Sequence, residues 1–529
     1  MGSKYILASD FGTGSCKTVL VDKNGMVVAT ATSEYPMQMP QPGWFEQDPQ
    51  DWLIALGKTV RAVLAESEVS PSDIVAIGLD GVTHNVVLLD EHGQPLRPCI
   101  TFYDTRSSPE ADEIKGRWGE TIFQRTRNSV TPVWTWPQLL WIKRHETEIW
   151  AKTRSILGQK DYIRNYIAPS LVTDMIDAEG TLLFDPFLNV WIDDFILDLG
   201  LPASILPEVV APTAVVGHID RNGAELTGLQ IGTPVIAGTT DTVAEVLGAG
   251  AIRPGHGTVK LASVGRITSV STSPTNHPQL LNYRHVIDDL WYPGTATKFA
   301  TSAFRWLRDS VWNGASYDEM SVAAASAPPG CKGLLFHPHL EGEWVPYWDN
   351  NLRADFLGIT VRHGREHITR AVMEGVAFAL RTGLEYASSL DLSFNDIRLI
   401  GQGVRSNVWK QIITDTLNRK IIIPSEKDAA FGTALVTGMG VDFFPSTTDQ
   451  ISKFIHIEEE IMPQPEEVEV YNALFEIYKQ SDAVLQSISH SLTDFEHQRP
   501  EKKLTLPIQE KVIYSQTEES QQFTPSSIS

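Results

Sequence analysis

A chain of 529 residues, 42% hydrophobic and 20% charged, is long enough for two or three cores and has the make-up of an ordinary globular protein. Its formal net charge of −22 excludes nucleic acid and anionic membrane surfaces as partners, since both select faces rich in Lys and Arg; it leaves room for a nucleotide held by backbone N–H groups and a metal. Three cysteines, Cys16, Cys99 and Cys331, fit neither a zinc spacing nor a disulfide framework, so reduced thiols and a cytoplasmic setting are expected.

Met1-Gly2-Ser3-Lys4 leads into a strand with no apolar leader, and no uninterrupted apolar run approaches membrane-spanning length. Residues 5–10 read as a first strand, 12–15 as a turn and 17–22 as a second strand; Asn24-Gly25 signals a hairpin into a third strand over 26–33. Asp48 and Pro49 open a helix, with Trp52, Ala55, Leu56, Val60, Val63 and Leu64 at helical spacing. Residues 74–79 and 85–90 read as further strands. The middle third mixes strands and helices, and Trp134, Trp136, Trp141, Trp150 and Trp191 are expected in the core. A strand over 235–237 ends in Gly238-Thr239-Thr240-Asp241, and a helix is expected over 244–250. Residues 257–267 repeat the opening logic of strand, small-residue turn and strand, an internal duplication read on pattern alone. A long helix is expected over 367–390, then a strand over 397–400 and another helix from about Asn407. Pro465, Glu466 and Glu467 open a last amphipathic helix with Val468, Tyr471, Leu474, Phe475, Tyr478, Leu485 and Ile488 on its face. From about Glu496 the chain is polar and expected to be disordered.

Five places carry residue types suited to chemistry. Asp241, presented in a turn after a strand, can accept a proton from a substrate hydroxyl, or it can cap the helix that follows. Asp10-Phe11-Gly12-Thr13-Gly14-Ser15-Cys16-Lys17 is a glycine-rich hairpin and not a P-loop: its N–H groups and the Thr13 and Ser15 hydroxyls can reach phosphate, and Asp10 can hold Mg²⁺. Gly401-Gln402-Gly403-Val404-Arg405-Ser406 offers a flat backbone for a purine, or two glycines placed for backbone geometry. Thr83-His84-Asn85 and Tyr103-Asp104-Thr105-Arg106 can line a sugar, although a lone histidine is usually structural and the latter pattern is often a surface ion pair.

In this order the segments resemble the FGGY family of carbohydrate kinases, from about Tyr5 to about Phe444. Residues 10–15 look like the family's first phosphate turn. Thr131-Pro132 with residues 137–143 resembles its first signature, with Gln138 where lysine is usual. Residues 160–163 and 173–183 resemble its mid-domain segment, and residues 341–349 resemble a segment in which Trp344 replaces the usual arginine. Gly358-Ile359, seven residues, then residues 367–374 is similar to the second signature at every position. Residues 401–406 resemble the adenosine turn, and 430–434 the segment after it.

The resemblance implies an α/β, two-domain sugar-kinase/actin-like fold with duplicated RNase H-like cores and an inter-domain cleft. The division expected is 1–247 for the sugar side, 248–450 for the nucleotide side, 451–495 for a helical extension and 496–529 for the tail. It implies ATP and Mg²⁺, and phosphorylation of a sugar hydroxyl, with D-xylulose or another ketopentose first. Gluconate, ribulose or a polyol is the alternative, and so is a non-catalytic ATP-binding regulator. Asp241 matches the family's base, with Thr242 where asparagine is common beside it. Thr83, His84, Asp104, Asp241 and Thr242 would line the sugar. Thr13, Gly14, Ser15, Lys17, Ser263, Gly401, Gly403 and Ser406 would line ATP, and Asp10 the metal. Ala262-Ser263-Val264-Gly265 stands where the second phosphate turn is commonly Gly-Thr-Ser-Gly. An acid sugar would call for a further cation near the pocket, and no candidate stands out. The partners implied are the sugar and ATP, with a homodimer left open.

Overall fold

The structure, a computed structural model, describes residues 4–498. The opening meander is β1 (Tyr5–Phe11), β2 (Ser15–Asp22) and β3 (Val27–Glu34), paired antiparallel in chain order as expected. The Asp48 side chain accepts from Gln50 N–H and Pro49 is the first residue of α1 (Pro49–Ser67), so cap and proline act together. This helix buries Trp52, Leu56, Val60 and Val63 against one face of the sheet. β4 (Ile74–Gly81) runs parallel to β1, and β5 (Val215–His218) and β6 (Pro234–Ile236) complete the order β5-β6-β4-β1-β2-β3.

After β6 the chain bulges and rejoins the sheet, with Thr239 opposite Asp80 and Thr240 opposite Gly81. Gly238 makes the bulge: its φ is 78°, and a Cβ there would stand 1.9 Å from the Leu79 carbonyl oxygen. The helix expected from residue 244 begins at Asp241, as α2 (Asp241–Gly248).

The second sheet is built from β7 (His256–Leu261), β8 (Gly265–Ser269) and β9 (Gly294–Thr297). After the long helix α3 (Arg365–Ser389) come β10 (Asp396–Ile400) and β11 (Ile421–Pro424), then α4 (Ala429–Gly440) and β12 (Ile457–Ile461). Its order is β9-β8-β7-β10-β11-β12. From the meander outward, both sheets show two antiparallel joins, two parallel joins and one antiparallel join. The repeat is therefore of the whole sheet. Its register equates two cross-strand pairs, Asp10 with Lys17 in the first hairpin and Lys260 with Arg266 in the second, each one step from its turn.

The chain passes from the first sheet to the second through α2. From β11 it returns through α4, which packs on the first sheet with Ala430, Phe431, Ala434 and Leu435 against Ile6, Ala8, Val19 and Ala76. So residues 429–440, counted with the second unit on sequence, add to the first unit's core. The two helices touch at Gly432, where a Cβ would stand 1.7 Å from the Ala244 carbonyl oxygen. Trp134, Trp136 and Trp141 are buried in a middle core, and Trp150 and Trp191 pack against it.

The last helix, α5 (Pro465–Gln498), runs past the expected end at 495; the tail expected to be disordered lies, from residue 499, outside the described residues. Its apolar face is buried as far as Tyr478. Beyond that Asp482, Ser489 and Thr493 face inward and Ile488 is exposed, because Asp482 pairs with His339. Among the described residues no helix is long and apolar enough to cross a membrane.

Candidate active site

Three neighbouring strand ends converge. Asp10 and Asp80 sit opposite one another on parallel β1 and β4, and Asp241 follows Thr240 at the end of the next strand segment. Strand carboxyl ends are where such sheets expose reactive groups. Thr240 occupies the cap position of α2, so Asp241 is not the helix cap. Burial raises the Asp10 carboxyl to about 7, reinforced by the charges of Asp241 and Asp428. Burial also raises Asp80, and the Asp10 charge adds to it. Asp241 is raised too by burial, against the pull of Lys260, Thr242 and Arg266. Asp80 was missed on sequence, although Asp80-Gly81 after a strand echoes Asp10-Phe11-Gly12. Its Oδ2 accepts from the Thr433 hydroxyl, while its Oδ1 is buried without a hydrogen bond.

That orphaned oxygen beside a second crowded carboxyl fits a hard divalent cation with one or two protein oxygens, the rest of its shell coming from phosphate and water. Among the described residues no group of three or more His, Cys, Asp or Glu side chains could hold a metal alone.

The first turn is open: Thr13 and Gly14 are exposed, Ser15 is half-buried, and a Cβ on Gly14 would meet nothing within 4 Å. Lys17, expected on the phosphate, forms an ion pair with Asp428. In the second turn the Ser263 hydroxyl receives Arg305 Nη2 at 3.2 Å. Gly401 and Gly403, expected to form a purine platform, pack against β7. Cβ atoms there would meet Leu261, at 2.7 Å from its carbonyl oxygen and 2.3 Å from its side chain, so the two glycines serve close packing on β7. The Ser406 hydroxyl likewise caps the helix Asn407–Leu417, accepting from Trp409 N–H at 3.4 Å.

His84 is occupied at both nitrogens. Nδ1 is 2.7 Å from the Gly180 carbonyl oxygen, which can only accept, so the ring carries its proton there; Nε2 then accepts from the Tyr283 hydroxyl at 3.2 Å. Burial holds its pKa at about 4, and Trp134 packs edge-on at 4.7 Å. The buried Thr83 lies against Gly180, where a Cβ would stand 2.3 Å from its methyl group. Behind His84 a cavity of about 30 Å³, walled by Asn85, Thr135, Asp177 and Thr181, has room for a water and not for a sugar. Below it Lys160 is buried among Asp161, Asp174 and Asp177 at 2.7, 2.8 and 3.0 Å, which brings the two mid-domain segments together.

Asp104 is not a surface residue. It is buried and accepts from Phe45 N–H at 2.6 Å, Arg106 N–H at 2.8 Å and the Arg106 guanidinium at 2.9 and 2.7 Å. With both oxygens engaged it orders its loop.

Two cations around Asp241 were also missed. Lys260 pairs with Glu245 at 2.6 Å, and Arg266 Nη1 donates at 3.3 Å to Thr242 Oγ1, which itself bonds Asp241 Oδ1 at 3.1 Å. The signal available was the duplication, since both stand at the register of Asp10 and Lys17.

Residues 5–248 match the N-terminal domain, and residues 257–441 the C-terminal domain, of the FGGY family of carbohydrate kinases. A xylulose kinase of Bacillus subtilis (strain 168) is 30% identical over 495 residues, 93% of this chain and 99% of the relative. A gluconokinase of the same strain is 27% identical over 512 residues, 93% and 98% of the two chains. The crystal structure of xylulose kinase from Rhodospirillum rubrum superposes with a TM-score of 0.83 at 28% identity, covering 92% of this chain and 100% of that one.

Proposed function

The chain belongs to the FGGY family of carbohydrate kinases and is a sugar kinase, and from that premise we propose that it transfers the γ-phosphoryl group of ATP to a hydroxyl of a small open-chain sugar, with Asp241 as the base. The observation that carries this reading is the convergence of Asp10, Asp80 and Asp241 at adjacent strand ends. The acceptor hydroxyl gives its proton to Asp241 as its oxygen bonds to the γ-phosphorus and the bond to ADP breaks. Burial raises Asp241 above the ordinary carboxylate value, against the pull of Lys260 and Thr242. Asp10 and Asp80 would hold Mg²⁺, which when bound neutralises phosphate charge. Thr13, Gly14 and Ser15 offer donors to phosphate from an open turn. His84, Tyr283 and Trp134 wall the acceptor side, so His84 orients that wall with both nitrogens already engaged.

For the acceptor, a ketopentose such as D-xylulose is the first reading, supported by the named xylulose kinases among the relatives. One observation favours a second reading, a sugar acid: Arg266 stands beside Asp241. ADP release over ketopentoses, aldonates and polyols, with wild type and Asp241→Asn side by side, tests the activity. No release with any of them removes the kinase reading.

A further inference from the structure

Among the described residues Arg266 forms no ion pair, although its charge acts on Asp241 and Glu245. Its Nη1 reaches only the neutral Thr242 hydroxyl, and its Nη2 is buried and makes no hydrogen bond among the described residues. The Tyr283 and Tyr292 ring centroids lie 5.7 and 5.8 Å from the guanidinium carbon. A buried guanidinium N–H with no acceptor is unfavourable until an acceptor arrives.

The duplicated hairpin supplies the comparison. At the equivalent register position Lys17 is neutralised by Asp428, the residue preceding α4. Arg266 meets the start of α2 in the same way but finds a hydroxyl. Its cross-strand neighbour Lys260 is neutralised by Glu245. Both charges act on Asp241; that of Lys260 also acts on Asp10, and that of Arg266 on His84, Tyr283 and Tyr292.

Resting on the kinase reading above, we propose that Arg266 is the specificity-determining residue of the acceptor site and takes the carboxylate of an open-chain sugar acid through Nη2. A guanidinium matches a planar carboxylate in shape and charge. Without it, a second carboxylate beside Asp241 would be repelled and would push the base further towards its protonated form. With it, the acid end of the acceptor is anchored and a hydroxyl further along the chain is left for Asp241.

The test is steady-state ADP release by the full chain with D-gluconate and D-xylonate against their uncharged counterparts D-glucitol and D-xylulose. The acids are expected to exceed the neutral compounds in kcat/KM by about tenfold or more. Arg266→Met should lower kcat/KM for the acids by about tenfold more than for the neutral sugars, with the KM for ATP unchanged. Arg266→Lys should recover part of the loss. Equal losses on acids and neutral sugars would assign Arg266 to the phosphoryl group and overturn the proposal, as would a lower melting temperature with an unchanged acid-to-neutral ratio. If Arg266→Met does not fold, the wild-type ratio decides alone, and a preference for D-xylulose over both acids overturns it. That last result leaves the kinase reading standing, whereas absence of ADP release with every acceptor removes both.

Discussion

The Thr433 hydroxyl donates to the Asp80 carboxylate across 353 positions of sequence, joining α4 to the strand end that carries the paired acids. Both groups are buried, so water cannot replace the bond. Thr433→Val keeps the shape and removes the donor. It is expected to lower the unfolding free energy by about 1–3 kcal/mol, read from urea denaturation midpoints. An unchanged midpoint would mean that Asp80 is held by other means.

Asp241 is half-buried and bonded to Thr242, and it is not the helix cap. Asp241→Asn is expected to lower kcat on the order of 10² or more, with ADP affinity within a few-fold of wild type by calorimetry. Near-normal turnover would remove Asp241 as the base.

His84 is held neutral, with a pKa of about 4 against an ordinary 6.5. The unfolded chain takes up the proton first as pH falls, so stability is present above about 6.5 and is lost on the way down to 4. His84→Gln should flatten that acid limb in melting curves. His84→Ala should raise the KM for the acceptor by about tenfold and spare that for ATP. Early melting with an unchanged acceptor KM would make the ring purely structural.

His339 works in the opposite direction. It lies 3.0 Å from Asp482 and 3.3 Å from Glu343, and these carboxylates, outweighing burial, raise it to about 9. The folded state holds its proton more tightly than the unfolded chain, so the stabilisation is complete below about 6.5 and disappears as pH rises through 9. It ties α5 to the segment around Glu343. Differential scanning calorimetry from pH 6 to 10 should show a falling Tm in wild type and a flatter profile in His339→Gln. Parallel profiles would leave the pair without weight.

Much of the fold was legible because local signals agreed: Asn24-Gly25, Asp48-Pro49 and the strand-turn-strand pattern at 257–267 each formed as read. The strand-end places of Asp10 and Asp241 and the open turn were legible too, since small residues and a carboxylate after a strand mark themselves. What could not be read was which polar groups meet each other. Asp104 follows the form of a surface pair, and only the packing of residues 44–47 against it shows that it is buried. Gly401 and Gly403 look like an open surface until Leu261 is found beneath them. Arg266 and Lys260 lie inside an ordinary strand pattern, and their proximity to Asp241 depends on contact between α2 and a hairpin from the other sheet.

The contact of α2 with α4 at Gly432 has a mechanical meaning. Where two backbones touch with no side chain between them, the sheets are joined tightly, and a rotation of one against the other is expected to turn about that point like blades on a rivet. Gly432→Ala would force the rivet apart, and small-angle scattering should find that ligands no longer shrink the radius of gyration. A variant that still contracts on adding acceptor and nucleotide would put the pivot elsewhere.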